Sequence, residues 1–419
     1  MTTWQAIALG DLGEIITGTT PPARHPDWFG DETPFITPTD ISEGNRRARP
    51  QRWLSSDGRA ALRSKVLPAG SVGFVCIGAT IGKLCLTELE SVTNQQINSI
   101  VPNADTDGRF VYYLLRNEAT RIAGMAGGAA TPILNKSAFS SVVVRVPDLL
   151  EQTKISSVLG GIDDLIENNE RRAEVLHQIA GGIYREWFVR FRFPGHESVE
   201  FVDSPLGRVP ESWTWSTCGD ELNFIGGGTP SKTVPAYWDN GTVAWYTPSD
   251  LTKNHWRYAA EPELCITDMG VAKSSARRFP AGSVLMTSRA TLGVLAIAST
   301  EATTNQGFIV VLPDDRWSSG FIREWLDVHA PELAAIATGA TFKEITKGAF
   351  KRVPFLVPTQ TVLDAYTAVT EPLEMQILNL ERQVRSLSTL RDLMLPKLVT
   401  GQINVSALDL DALVEDAVA

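Results

Sequence analysis

The chain has 419 residues, of which 43% are hydrophobic and 21% charged, and a formal net charge of −10. That length suits two to four domains with separate cores, and the composition is that of an ordinary soluble protein. No apolar run reaches the ~18 residues of a membrane span, no basic-then-apolar leader opens the chain, and Cys76, Cys85, Cys218 and Cys265 form no C-x-x-C pair, which argues against a membrane, secreted, zinc or redox protein and for a reducing cytoplasm.

In chain order, the first 147 residues read as a mixed α/β body. Ser71–Ile77, Asn98–Val101 and Val142–Val146 are short apolar runs bounded by Gly, Pro and Asn, as strands are. Phe110–Ala123 has helical spacing. Glycine density makes much of the rest turns. The landmarks of this body are Trp4, Gly10, Gly18-Thr19-Thr20-Pro21, Thr37-Pro38-Thr39-Asp40, Pro68-Ala69-Gly70-Ser71, Thr93-Asn94-Gln95, Lys136-Ser137-Ala138-Phe139 and Val146-Pro147.

Residues 148–190 change period. Asp148 stands three before Glu151, a capping pair that would open a helix. Ile155, Leu159, Ile162, Ile166, Asn169, Ala173, Leu176, Ala180, Ile183 and Trp187 then follow steps of four and three, a heptad seam. Residues 191–212, with Pro194-Gly195, Pro205 and Pro210, form a linker.

Residues 213–358 restate the first body. Trp213, Gly219, Gly227-Gly228-Thr229-Pro230, Thr247-Pro248-Ser249-Asp250, Pro280-Ala281-Gly282-Ser283, Thr304-Asn305-Gln306, Lys347-Gly348-Ala349-Phe350 and Val357-Pro358 recur in order, 209 to 212 positions on. Such a period is far longer than the ~20–50 residues of a solenoid unit and marks a duplicated domain. Strands are expected at Ser283–Thr287, Gly307–Leu312 and Val353–Val357, and one helix over Phe321–Ala337. A second seam occupies 359–399, with Leu373, Ile377, Leu380, Val384, Leu387, Met394 and Leu398 in the register of the first and Arg391 as a gap. Asn169 aligns with Leu380, so the two seams match only approximately. Pro372 removes a backbone donor and is expected to kink or interrupt the front of this helix. Residues 400–419 form an acidic tail.

Each seam helix would run ~60 Å at ~1.5 Å per residue. Joining parallel helices would stretch the linker almost fully at ~3.3 Å per residue. The expectation is therefore an antiparallel coiled coil with one body at each end and a pseudo-twofold axis. The fold class is α+β: a tandem duplication of a mixed α/β body, each followed by a long helix.

The charge is unevenly spread. Residues 1–147 hold 14 Lys+Arg and 13 Asp+Glu, and residues 213–358 hold 13 and 14, so the bodies sum to zero and the connecting segments carry the deficit. A neutral body can present a basic face, so DNA is not excluded.

No catalytic or metal site emerges, because the five histidines are scattered without ligand spacing and no nucleotide or base-methylation motif is present. Gly78 to Lys83 imitates a phosphate loop with one residue too few and Leu84 where Ser or Thr is needed, so it reads as a turn. Candidate DNA contacts are the hydroxyls of Thr19, Thr20 and Thr229, and the amides of Asn94, Gln95, Asn305 and Gln306, which suit adenine. Turn formation and backbone satisfaction are the competing readings of these groups. The strongest basic patch is Arg46, Arg47, Arg49 and Arg52 beside Trp53, matched by Lys253, His255, Trp256 and Arg257 in the second copy. Arg24, Lys83, Lys136, Lys232, Arg289 and Lys347 are further phosphate candidates.

With these landmarks assembled, the chain resembles the specificity subunit of a type I DNA restriction–modification enzyme over essentially its whole length. Tyr184 to Pro194 resembles that family's exit from the first helix, Leu206-Gly-Arg-Val-Pro-Glu-Ser-Trp213 its entry into the second recognition domain, and Leu393-Met-Leu-Pro-Lys-Leu-Val-Thr-Gly401 its final helix end. The resemblance implies a non-catalytic subunit whose two target-recognition domains read the halves of an interrupted, asymmetric DNA target. It implies that the helix pair sets the spacer and docks two methyltransferase and two restriction subunits. S-adenosylmethionine, ATP and magnesium would sit on those partners, with no cofactor in this chain. Two alternatives are a specificity subunit for a methyltransferase-only or other defence assembly, and a duplicated hydrolase or sugar-binding protein. The last would need a recurring carboxylate or histidine cluster, for which only Asp40 and Asp250 recur.

Overall fold

The computed structural model describes residues 4–42, 44–127, 132–253, 256–339 and 343–405. Most of the expected acidic tail, from 406 onward, lies outside the described residues. The chain divides into two compact units, residues 1–167 with 385–419, and residues 168–384. Each unit holds one body, the leading half of the helix that follows that body, and the trailing half of the other helix.

In the first unit, Gln5–Ala8 pairs antiparallel with Val143–Val146, closing the body's two ends on each other. A four-stranded sheet runs in the order Gly13–Thr17, Ile97–Pro102, Val72–Val75, Leu84–Leu86. A second runs Phe29–Gly30, Arg52–Leu54, Thr33–Ile36, Val92–Thr93, its last pair parallel. The helix Gly108–Ala123 is capped by Asp107 and buries Phe110 to Leu115. The second unit repeats the plan. Thr214–Thr217 pairs with Pro354–Val357, and Asn223–Gly226, Phe308–Leu312, Val284–Arg289 and Thr291–Ile297 form the four-stranded sheet. Leu264–Ile266, Val243–Tyr246 and Thr303–Thr304 form the smaller one. The expected strands are present, with ends moved by a residue or two.

The helix expected over Phe321–Ala337 is two, Ser319–Val328 and Ala330–Ala335, broken at His329. Pro331 lies in the first turn of the second piece, where its missing N–H costs nothing. The linker is not plain coil. It contains the hairpin Phe201–Ser204 with Gly207–Pro210.

The first long helix is Leu149–Tyr184, continued by a π-helical turn over Arg185–Val189. Asp148 caps it as expected, accepting the Glu151 N–H at 3.0 Å. The second is Gln360–Val399 without interruption. Pro372 therefore does not break it. The residue is exposed, and the carbonyl it leaves unpaired, that of Ala368, can turn to water.

The helices pair antiparallel within each unit. In the first, Glu151 accepts from Val405 N–H at 3.4 Å and Asp163 from Arg391 at 2.8 Å. In the second, Asn169 Nδ2 donates to Gln383 Oε1 at 3.0 Å, and the rings of Tyr184 and Tyr366 meet at 6.1 Å. Of the seam, Ile155, Leu159, Ile166, Ile377, Leu380 and Val384 are buried, and Ile162, Leu176, Ile183, Leu373, Leu387 and Met394 half-buried. The seam serves the bodies as well. Ile155, Leu159, Leu395, Leu398 and Val399 share one core with Phe74, Phe110 and Phe139, and Tyr184, Phe188, Tyr366 and Ile377 share another with Phe321 and Trp325.

Candidate nucleic-acid interface

The recurring landmarks converge. Gly18 N–H donates to Ile97 O at 3.1 Å and Thr19 N–H to Thr93 O at 2.8 Å, while Asn94 N–H donates to Ile36 O at 3.0 Å. The second body repeats this, with Gly228 N–H on Thr304 O at 2.9 Å and Asn305 N–H on Tyr246 O at 3.0 Å. The glycines are required by close approach. A Cβ on Gly18 would lie 2.3 Å from the carbonyl oxygens of Thr93 and Asn94, and one on Gly227 2.2 Å from those of Thr304 and Asn305.

On this frame a side-chain pair recurs. Thr20 Oγ1 donates to Gln95 Oε1 at 2.6 Å, and Thr229 Oγ1 to Gln306 Oε1 at 2.6 Å. Both glutamines are exposed. With one Oε1 lone pair engaged by the threonine, each amide keeps its two N–H donors and a second lone pair, so a bidentate adenine contact would share that oxygen with the threonine. Asn94 is buried and satisfied by Gln96, and Asn305 accepts from Gly307 N–H at 2.8 Å, so these two close turns. Thr19 is half-buried.

Asp40 and Asp250 also have structural partners. Each accepts the N–H and hydroxyl of the threonine three before it, Thr37 at 2.7 Å for both and Thr247 at 2.7 and 2.6 Å. Their other oxygens take Gln51 and Glu263 N–H. Among the described residues no group of three or more His, Cys, Asp or Glu could hold a metal.

The basic candidates divide. Arg24, Arg49, Arg52, Lys136, Lys232 and Lys347 are exposed without a carboxylate partner among the described residues. The Arg52 guanidinium lies 4.3 Å from the centroid of the Phe29 ring, and the Lys347 ammonium lies over Gly226 at the start of the Gly-Gly-Thr-Pro turn. Arg47 pairs with Glu88 at 2.7 Å and Glu167 at 2.9 Å, Lys253 with Glu263, and Arg289 with Glu344 at 4.0 Å. Lys83 donates to Ile41 O at 3.0 Å, beside Gly78 and Gly82 with positive φ, which makes that segment a turn. His255 lies outside the described residues.

Arg46 and Arg257 are corrections, since both face inward. Arg257 is fully buried, its Nε donating to Glu374 Oε2 at 2.7 Å, Nη2 to Glu374 Oε1, and Nη1 to Glu324 Oε1 at 2.6 Å. Glu381, one heptad after Glu374, accepts the N–H groups of Arg257 and Tyr258 at 2.8 and 3.0 Å. Burial alone would lower the Arg257 pKa, but Glu374 and Glu324 outweigh it and hold the group above its ordinary value. Arg46 is 4% exposed and bonds Asp164 and Glu167, the latter at 3.0 Å from Nε. A charge removed from water needs such partners, so neither guanidinium is available to a phosphate. Reading the sequence alone misses these helix carboxylates. The shared 211-residue offset of Arg46 with Arg257 and Asp163 with Glu374 is the available signal.

Two bodies with one architecture, each presenting exposed donors around the same turns, have the form of a two-site binding protein. Residues 1–178 and 210–379 match the family described as Type I restriction modification DNA specificity domain, once on each body. The chain belongs to that family. Over 418 residues it is 24% identical to the type I restriction enzyme MjaIX specificity subunit of Methanocaldococcus jannaschii, covering 97% of this chain and 94% of that one. Over 179 residues it is 34% identical to the type I restriction enzyme HindI specificity subunit of Haemophilus influenzae, covering 41% and 39%. The fold is similar to that of the type I restriction–modification S subunit from M. genitalium, with a TM-score of 0.62, 13% identity and coverage of 95% and 96%.

Proposed function

We propose that this chain is the non-catalytic DNA-specificity subunit of a type I restriction–modification system. Each body reads one half of an interrupted target, and the antiparallel helices set the unread spacer. What carries this reading is that the family match falls twice, once on each of two bodies built to one plan. The bodies share their turns but few residues between them, so the two half-sites differ. Exposed Arg24, Arg49, Arg52 and Lys136 in one body, and Lys232 and Lys347 in the other, supply phosphate contacts, with Gln95 and Gln306 as neutral donors.

The helices also dock two methyltransferase subunits and, in the full complex, two restriction subunits. S-adenosylmethionine, ATP and magnesium belong to those partners, and the assembly works in the cytoplasm. No described helix is long and apolar enough to cross a membrane.

The test is reconstitution with the methyltransferase subunit, followed by mapping of methylated adenines on random-sequence DNA. A single bipartite motif with a fixed spacer is expected, and binding that weakens steeply with salt as counterions are released. Methylation without sequence preference would sink the reading.

A further inference from the structure

Arg46 and Arg257 occupy one place in the duplicated body. The Arg46 carbonyl accepts from Leu86 N–H at 2.8 Å, and that of Arg257 from Ile297 N–H at 2.8 Å, donors that are themselves 211 positions apart. From there both side chains turn onto carboxylates of the long helix that follows their own body, Asp164 and Glu167 in the first unit and Glu374 in the second. The exposed basic groups lie on the same segments. Arg49 and Arg52, without a carboxylate partner among the described residues, follow Arg46 closely, whereas Lys253, which precedes Arg257, is paired with Glu263.

A buried ion pair contributes little stability that apolar packing could not supply. Its presence at both equivalent places therefore calls for a geometric role. We propose that Arg46 and Arg257 are positioning residues for DNA reading. Each ties its own segment of the body to the long helix, a segment that in the first body carries Arg49 and Arg52, so that the DNA contacts of the body stay in step with the spacing the helices set. This rests on the function proposed above.

The two ties are unequal. Arg257 is enclosed by Glu374 and Glu324, and although Glu324 keeps Arg323 as a second partner, truncation of Arg257 would strand the buried carboxylate of Glu374. Asp164 is 52% exposed and Glu167 keeps Arg47 as a partner, so the first tie can be cut with the body still folded. The first joint is thus the adjustable one.

The experiment uses the complex with methyltransferase subunits and DNA targets of fixed half-sites whose spacer is one base pair shorter, unchanged or longer. Arg46→Met is expected to weaken the preference for the native spacer by about tenfold, with both half-site motifs unchanged. Asp164→Asn should act in the same direction, and the double variant should lose less than the sum of the two. Arg46→Lys, which keeps the charge but not the two-point fork, should fall between.

Thermal unfolding of each complex separates folding from positioning. An Arg46→Met complex that melts normally and keeps the wild-type spacer profile overturns the proposal. So does a changed base in the first half-site, or an effect of Arg46→Met that the combined Asp164→Asn and Glu167→Gln variant does not share, since either makes Arg46 a direct contact. A wild-type complex with no spacer preference would instead refute the ruler role of the helices.

Discussion

Arg391 of the second long helix and Asp163 of the first meet Nη1 to Oδ1 at 2.8 Å, with both side chains about 95% buried. Tyr113 OH completes Asp163 at 2.6 Å. The position equivalent to Arg391 on the first helix, 211 residues earlier, is Ala180. In the second unit the counterpart of Asp163, Glu374, takes its cation from the body instead, through Arg257. The duplicated plan thus solves one buried carboxylate in two ways, which keeps either helix half from substituting for the other.

Replacing Arg391 by Leu leaves Asp163 buried with Tyr113 alone. A loss of about 3–5 kcal/mol in the first unit is expected, the usual cost of breaking a buried pair. Asp163→Asn combined with Arg391→Leu should recover much of it. Chemical denaturation of the two variants measures both terms, and equal losses in single and double variants would contradict the pairing.

His177 gives a pH dependence with a definite sign. Burial, then Arg323 and Arg257 nearby, lower its pKa from the ordinary histidine value of about 6.5. The folded state therefore resists the proton that the unfolded chain accepts. Stability from this group is complete above about pH 6.5 and is lost as pH falls toward the depressed folded pKa. His177→Gln should flatten the slope of unfolding free energy below about pH 6.5. An unchanged slope would remove His177 as its source.

Pro372→Ala should stabilise the second unit. The helix already runs through this exposed position, so alanine restores one backbone donor and relieves crowding of the Ala368 carbonyl, worth up to about 3 kcal/mol. A higher melting temperature checks it. A lower one would mean the proline supplies something the helix needs.

Gly18→Ala and Gly227→Ala should each displace a turn, because the new Cβ would meet backbone oxygens at 2.3 and 2.2 Å. A loss of about 1–3 kcal/mol is expected for such overpacking. The Thr20–Gln95 and Thr229–Gln306 bonds should open in the respective variants, visible as altered side-chain amide signals by NMR. Wild-type stability and unshifted amides would show that the turns tolerate a side chain.

Period and repetition carry most of the fold into view. The heptads run through Pro372 as the helix does, and the repeated words mark the turns that meet at Gly18 and Gly227. What stays hidden is direction. Arg46 and Arg257 lie in polar stretches that look like a solvated basic face, and only the facing carboxylates turn them inward. Local sequence cannot show those partners, because Glu374 stands 117 residues from Arg257. The break at His329 is hidden for a different reason, since an apolar stripe continues smoothly across two helices split by Pro331.

The first unit is made from residues 1–167 and 385–419, with the second lying between them in sequence. Leu395, Leu398, Val399 and Val405 belong to the core that Phe74 and Phe110 begin. On the ribosome the body that holds Phe74 and Phe110 must therefore wait, incompletely covered, until Leu395 to Val405 emerge, while the unit of residues 168–384 can close beforehand. A product that stopped before Leu395 would leave that body unsealed, a natural mark for chaperones and proteases to act on before it could join an assembly.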